Sequence, residues 1–308
     1  MSRIHEALKK AALEKNARLD RESLSEITDF AGENLVDEAV SEAVVVEQRG
    51  AKIDRQEPSL TGFNELLRKC PRVEWRIDPR YSAFANESLD PSGAEKFRTL
   101  RSRLYQIAAT RPLKRLVVTS SLPEEGKTFI ASNLAQSIVR QEHRRVLLID
   151  GDLRASRLHR SFGAAVSPGL SDYLRGEADE FKIIQVGKEP NLGLIAGGSQ
   201  VSNPSELLHS KAMDDLLKRL SPMFDWVILD SPPAIAVHDA SILADICDGV
   251  LFVVRAGATD FEIAQRAAGE FDERRMLGVI LNHVEKSEGY GYYYTYPHDK
   301  EKAETDLS

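Results

Sequence analysis

Three stretches, far apart in the chain, hold residue types that can do chemistry together. The first is Ser121-Leu122-Pro123-Glu124-Glu125-Gly126-Lys127-Thr128. A polar turn that ends in Gly-Lys-Thr, entered from an apolar run and left into helix-compatible residues, is a strand–loop–helix phosphate site. Gly126 lets the backbone approach a phosphate. Lys127 reaches the β- and γ-phosphates as a point charge, and the Thr128 hydroxyl can sit on Mg²⁺. The helix start adds oriented N–H groups and partial positive charge, so Glu125 through Phe129 form the candidate nucleotide cradle. The pattern is imperfect, because Ser121 stands where glycine is usual. The alternative is a plain strand-to-helix turn with a surface lysine.

The second stretch is Asp150-Gly151-Asp152-Leu153-Arg154, directly after Val146-Leu147-Leu148-Ile149. A carboxylate at the end of a buried strand would lie beside the phosphate loop, and one two residues on reaches the same metal zone. Arg154 either adds positive charge at the nucleotide or forms a structural salt bridge. The third stretch is Asp230-Ser231-Pro232-Pro233 after Trp226-Val227-Ile228-Leu229. Asp230 has the position of an acid that holds Mg²⁺ while the metal bridges phosphates. Thr128, Asp152 and Asp230 are the candidate metal ligands. Asn282 ends the last apolar run and either reads an adenine edge or forms a turn.

These groups meet only if the apolar runs are neighbouring strands. Leu116–Thr119, Arg145–Ile149, Leu192–Ile195, Trp226–Leu229, Val250–Val254 and Val279–Leu281 read as strands. Helical patterns alternate with them, over Phe129–Val139, Pro204–Leu220 with Asn203 as cap, Val237–Ile246 and Phe261–Arg275. That alternation predicts an α/β fold with a mostly parallel sheet covered on both faces. In such sheets ligands bind beyond the C-terminal strand ends, which is where all three stretches fall.

The 308 residues, 42% hydrophobic and 29% charged, suit one α/β domain of about 200 residues with appendages. A net charge of −7 and a pI near 5.6 disfavour nucleic acid as a partner. Cys70 and Cys247 stand far apart without a CxxC partner, which points to a reducing compartment. No apolar run approaches the roughly 20 residues that span a bilayer, and the first residues lack a signal-peptide core, so a cytoplasmic location is expected. Residues 3–18 read as an amphipathic helix, either a docking helix or a frayed charged one. The domain plan is an N-terminal helix and acidic, largely disordered arm over 1–75, with a short ordered piece around Phe63–Leu67. A nucleotide-binding body over 76–286 and a tail over 287–308 complete it.

A further helix is expected from about Pro91 to Ala109, with Ser92 as cap and Glu95 three residues on. Leu100, Leu104 and Ile107 form its packing face. Glu95, Arg98 and Arg101 share another face, either solvated or used for contact. The tail Gly289-Tyr290-Gly291-Tyr292-Tyr293-Tyr294-Thr295-Tyr296-Pro297 carries five of the eight tyrosines. Its interrupting glycines and surrounding charge exclude a core, leaving a phosphorylatable tail or a partner-binding segment.

Together these features resemble the bacterial tyrosine kinases (BY-kinases) that control capsule and exopolysaccharide production. The likeness covers about residues 90 to 297. It rests on Gly126-Lys127-Thr128, Asp150-Gly151-Asp152-Leu153-Arg154, Asp230-Ser231-Pro232, Glu95-x-x-Arg98-x-x-Arg101, Asn203-Pro204-Ser205-Glu206-Leu207-Leu208 and the tyrosine tail. The first three motifs alone fit any MinD/ParA-like P-loop ATPase; the helix and tail make the match specific. The opening Met1-Ser2-Arg3-Ile4-His5-Glu6-Ala7-Leu8-Lys9-Lys10-Ala11 looks like that of soluble members found at exosortase-type loci.

The resemblance implies a P-loop fold and an ATP- and Mg²⁺-dependent autokinase. It makes Lys127, Asp150, Asp152 and Asp230 catalytic, with Asp150 as the group that takes the tyrosine proton. Tyr290, Tyr292, Tyr293, Tyr294 and Tyr296 are its implied acceptors. It further implies a ring of subunits joined through Glu95, Arg98 and Arg101, a cognate tyrosine phosphatase, and a separate membrane-spanning activator of the chain-length-determinant type that recruits the chain to the inner membrane face. One departure is Glu124, where the family usually has glycine. If the backbone there needs positive φ, glutamate costs more than glycine, and a carboxylate near the phosphates repels them, so weaker nucleotide affinity is expected. A positioning ATPase of MinD/ParA type, or a scaffold that binds nucleotide weakly, are the rival readings. The former usually has an early loop lysine where this chain has Leu122.

Overall fold

The computed structural model describes residues 60–85, 87–88, 91–187 and 191–284. The N-terminal amphipathic pattern, most of the acidic arm and the tyrosine cluster lie outside the described residues. Five strands of good β formers build the centre: β1 (Arg115–Ser120), β2 (Val146–Asp150), β4 (Leu192–Ile195), β5 (Trp226–Asp230) and β6 (Gly249–Arg255), with β3 (Ile184–Val186) and β7 (Met276–Asn282) at the edges. The order across the seven-stranded sheet is β3-β4-β2-β5-β1-β6-β7. All pairs are parallel except β3 with β4.

Alternate residues of each central strand enter opposite layers, as a period of two requires. Val117, Leu147, Ile149, Val227 and Leu229 fill one core. Leu116, Val118, Val146, Leu148 and Ile228 fill the other. The second layer is closed by α2 (Ser92–Thr110) and α3 (Lys127–Val139), through Phe97, Leu104, Leu134 and Ile138. Leu100 and Ile107 pack against the same layer, so the predicted apolar face of α2 is the one it buries.

The first described helix, α1 (Leu60–Lys69), places Phe63 and Leu66 in the opposite layer, followed by buried Cys70. Phe63 meets Phe224 edge-on at 5.4 Å, and the Arg145 guanidinium lies over its ring at 4.8 Å. Phe224 and Arg145 immediately precede β5 and β2, so α1 sits at the N-terminal edge of the parallel strands. The ordered piece expected around Phe63–Leu67 is thus a helix whose Phe63 and Leu66 pack into the core ahead of residue 76.

The remaining helices are short: α4 (Leu158–Phe162), α5 (Leu170–Leu174), α6 (Glu180–Ile183), α7 (Pro204–Leu208), α8 (Lys211–Leu220), α9 (Asp239–Asp245) and α10 (Phe261–Ala268). The helix expected over Pro204–Leu220 is thus two. Ser210 is extended and its Oγ accepts from Met213 N at 3.4 Å, so a favourable N-cap residue restarts the helix there. Asn203 makes no capping hydrogen bond; its Nδ2 donates to Glu206 Oε2 at 2.7 Å. The helix expected to reach Arg275 stops at Ala268, before Gly269. Pro91, not Ser92, is the N-cap of α2. No described helix is long and apolar enough to cross a membrane.

Candidate active site

The C-terminal ends of five adjacent strands form one crest. Asp150 of β2 is paired in register with Asp230 of β5. Ser120 of β1 pairs with Val253 of β6, and Arg255 of β6 with Asn282 of β7. The three chemical stretches of the sequence therefore converge.

The loop after β1 turns through two left-handed residues, Glu124 (φ 65°) and Gly126 (φ 95°). Gly126 caps α3 and puts Lys127 and Thr128 in its first turn. Lys127 Nζ stands 3.5 Å from Asp152 Oδ2, with both side chains largely buried. Glu124 is exposed, so its carboxylate points away from the loop interior. Phe129 turns its ring to Phe97, centroids 5.8 Å apart, and leaves only its backbone to the cradle.

Asp150 is fully buried. Its Oδ1 accepts from Asp152 N at 3.1 Å; its Oδ2 accepts from Ser156 Oγ at 2.7 Å and Leu158 N at 3.1 Å. Burial raises its pKa to about 6 despite these donors, and Asp152 adds to the rise. Between the two acids, Gly151 donates to Asp230 O at 2.7 Å, and a Cβ there would lie 2.9 Å from that oxygen, so the Asp-Gly-Asp turn needs its glycine. Burial lifts Asp230 to about 7. Lys127 opposes the rise, and Asp150 and Asp152 add to it.

Asp230 Oδ1 is buried without a hydrogen-bond partner, as is Ser121 Oγ. Among the described residues no three His, Cys, Asp or Glu side chains form a metal cage. A free, buried carboxylate oxygen beside Thr128 and Asp152 fits a hard divalent ion whose remaining ligands are phosphate or water.

Other expected site residues have different partners. Arg154 Nε donates to Asp239 Oδ2 at 2.8 Å and its Nη2 to Ser205 Oγ at 2.9 Å, so it joins the β2 loop to α7 and α9. Asn282 Nδ2 donates to the Glu125 carbonyl at 2.9 Å, on the phosphate loop itself. The Glu125 side chain is buried and accepts from Leu122 N, Arg255 N and Thr259 Oγ1. On α2, Arg98 bonds both Glu95 and Glu87, while Arg101 donates to the Ser137 carbonyl and Oγ of α3. Sequence spacing did not reveal Ser156, Asp239 or Thr259 as partners. Each is a common polar type in a connection, and Asp239 lies 85 residues from Arg154.

No protein-family model matches the chain. Tyrosine-protein kinase YwqD of Bacillus subtilis is 35% identical over 206 residues, covering 66% of this chain and 86% of YwqD. Tyrosine-protein kinase etk of Escherichia coli is 34% identical over 205 residues, but the chain spans only 28% of that longer protein. The solved kinase domain of E. coli tyrosine kinase ETK superposes with a TM-score of 0.60 at 33% identity, over 69% of this chain and 84% of that one. The chimerical protein CapA2B2 gives 0.63 at 27% identity, over 70% and 96%. The convergence on this crest and a relative matched over most of its length lead to one conclusion: the chain belongs to the bacterial tyrosine-protein kinases.

Proposed function

We propose that this chain transfers the γ-phosphoryl group of ATP to tyrosine hydroxyls, its own Tyr290, Tyr292, Tyr293, Tyr294 and Tyr296 among them. The observation that carries the reading is the convergence of Lys127, Asp150, Asp152 and Asp230 on one crest beside a left-handed phosphate loop. A tyrosine hydroxyl is a weak nucleophile near neutral pH because its pKa is about 10. Asp150 accepts its proton as the oxygen–phosphorus bond forms and the bond to the β–γ bridging oxygen breaks, with ADP leaving. Lys127 and the loop N–H groups stabilise charge on the transferring group. Thr128, Asp152 and Asp230 hold Mg²⁺, which when bound neutralises charge on the β- and γ-phosphates.

By the same reading the acceptor tail is offered between copies in a closed ring. Glu95 is the most exposed member of the α2 charge face and Arg98 is half-exposed, so both remain accessible to a partner. Each phosphotyrosine adds roughly −1.5 to −2 charges, so a modified tail repels itself and loosens such an assembly. A separate membrane-spanning activator, a counteracting tyrosine phosphatase and a role in exopolysaccharide export complete the proposal. It is tested by incubating the full chain with and without ATP·Mg²⁺, then measuring intact mass and phosphotyrosine. Lys127→Met is expected to abolish the signal while keeping the fold. Full phosphotyrosine in that variant refutes the assignment, and ATP turnover without any phosphotyrosine favours a switch ATPase.

A further inference from the structure

Glu125 stands inside an anion-binding loop, yet its carboxylate is only 2% exposed. A negative charge beside a triphosphate is unfavourable unless donors hold it turned away. Three donors hold it here. Oε2 accepts from Leu122 N at 2.7 Å across the loop, and Oε1 accepts from Arg255 N at 3.3 Å and from Thr259 Oγ1. Arg255 ends β6, and Thr259 lies in the turn between β6 and α10. The Glu125 carbonyl is held separately, by Asn282 Nδ2 at the end of β7. Arg255 and Asn282 are register partners, so the two anchors rise from adjacent strand ends. The Asn282 amide also lies over the loop glycine. A Cβ on Gly126 would come within 2.0 Å of its Nδ2.

We propose that Glu125, Thr259 and Asn282 are positioning residues. They form a two-point latch that holds the loop from Leu122 to Gly126 in its phosphate-receiving shape before nucleotide arrives. The loop contains two residues in left-handed backbone, one of them not glycine, and such a conformation persists only where its surroundings fix it. The latch contributes to binding of the phosphates and not to recognition of the base, because it acts on the backbone that meets phosphate. The inference deepens the kinase reading and rests on it for the ligand class, a nucleotide polyphosphate.

The test measures Mg²⁺-dependent binding of ADP and of inorganic pyrophosphate to the full chain by calorimetry. Asn282→Ala and Thr259→Val are each expected to weaken both ligands by the same factor, about tenfold for a lost buried hydrogen bond to a charged or strained partner. Thr259→Ser is expected to restore both. Thr259 lies outside the phosphate loop, so its variants keep the test available if a Glu125 variant fails to fold. Asn282→Ala weakening ADP while leaving pyrophosphate unchanged makes Asn282 a base contact and overturns the latch. So does a Thr259→Val chain that binds both ligands normally. The kinase reading fails separately, through absence of phosphotyrosine in a wild-type chain that binds ADP.

Discussion

Replacing Asp230 with asparagine is expected to stabilise the nucleotide-free protein while removing its activity. The carboxylate is 1% exposed, one oxygen has no partner, and Asp150 and Asp152 crowd it against a single lysine. Its pKa is raised from 3.8 to about 7. The folded state then holds a proton that the unfolded state has released, so the group's stabilising contribution is full below pH 3.8 and is lost as pH rises through about 7. At 1.36 kcal/mol per pH unit, keeping Asp230 ionised at pH 8 costs about 4 kcal/mol as an upper limit. Asparagine removes the charge but buries an amide with few partners, which costs about 1–3 kcal/mol. The net gain at pH 8 is then about 1–3 kcal/mol, or several degrees in Tm at about 2–4 °C per kcal/mol for a domain of this size. Thermal unfolding of both proteins at pH 5 and pH 8 reads the difference. The gain should shrink towards pH 5, where the native aspartate is already protonated. An Asp230→Asn protein less stable at pH 8, or stabilised equally at both pH values, refutes the account of a strained carboxylate.

Further outcomes follow from other sites. Glu124→Gly relieves a left-handed glutamate and removes a charge at the loop rim. ADP affinity should rise a few-fold, and an unchanged constant by calorimetry contradicts the strain argument. Arg154→Ala leaves the fully buried Asp239 with the Ser205 hydroxyl still donating to it but without its guanidinium, and should cost about 1–3 kcal/mol in urea unfolding after allowance for the partly exposed arginine. A cost within error assigns Arg154 elsewhere. Phe63→Ala should lower stability by about 3–4 kcal/mol, as for a core aromatic. If deletion or truncation at Phe63 is silent in the same assay, α1 is not part of the body.

The sheet was legible because its central strands are buried on both faces and read as unbroken apolar runs, and because three such runs each end in the needed acid or loop. What stayed hidden depends on contacts made across distance. Arg154 carried two readings until Asp239 appeared beside it, 85 residues on. Asn282 offered an adenine edge or a turn, and neither pattern contains the Glu125 carbonyl it bonds. Position in a loop says nothing of side-chain direction, so the burial of the Glu125 carboxylate against Arg255 N and Thr259 Oγ1 is not legible from spacing. The break at Ser210 was missed because apolar spacing continues through it, while a capping hydroxyl needs only one residue to restart a helix. β3 is three residues long, too short for a periodicity.

The two ends of the described body leave the sheet from opposite rims. Phe63, three residues into the first described helix, lies beside Phe224 and Arg145, behind the strands, whereas Asn282 stands at the front rim, bonded to the phosphate loop. Strands of five to seven residues put about 15–25 Å between those rims. A tether gripping the chain by its first 59 residues would hold the protein by its back and leave the reactive rim turned outward. The described chain also ends, past Asn282, on the rim that carries Lys127 and the three acids.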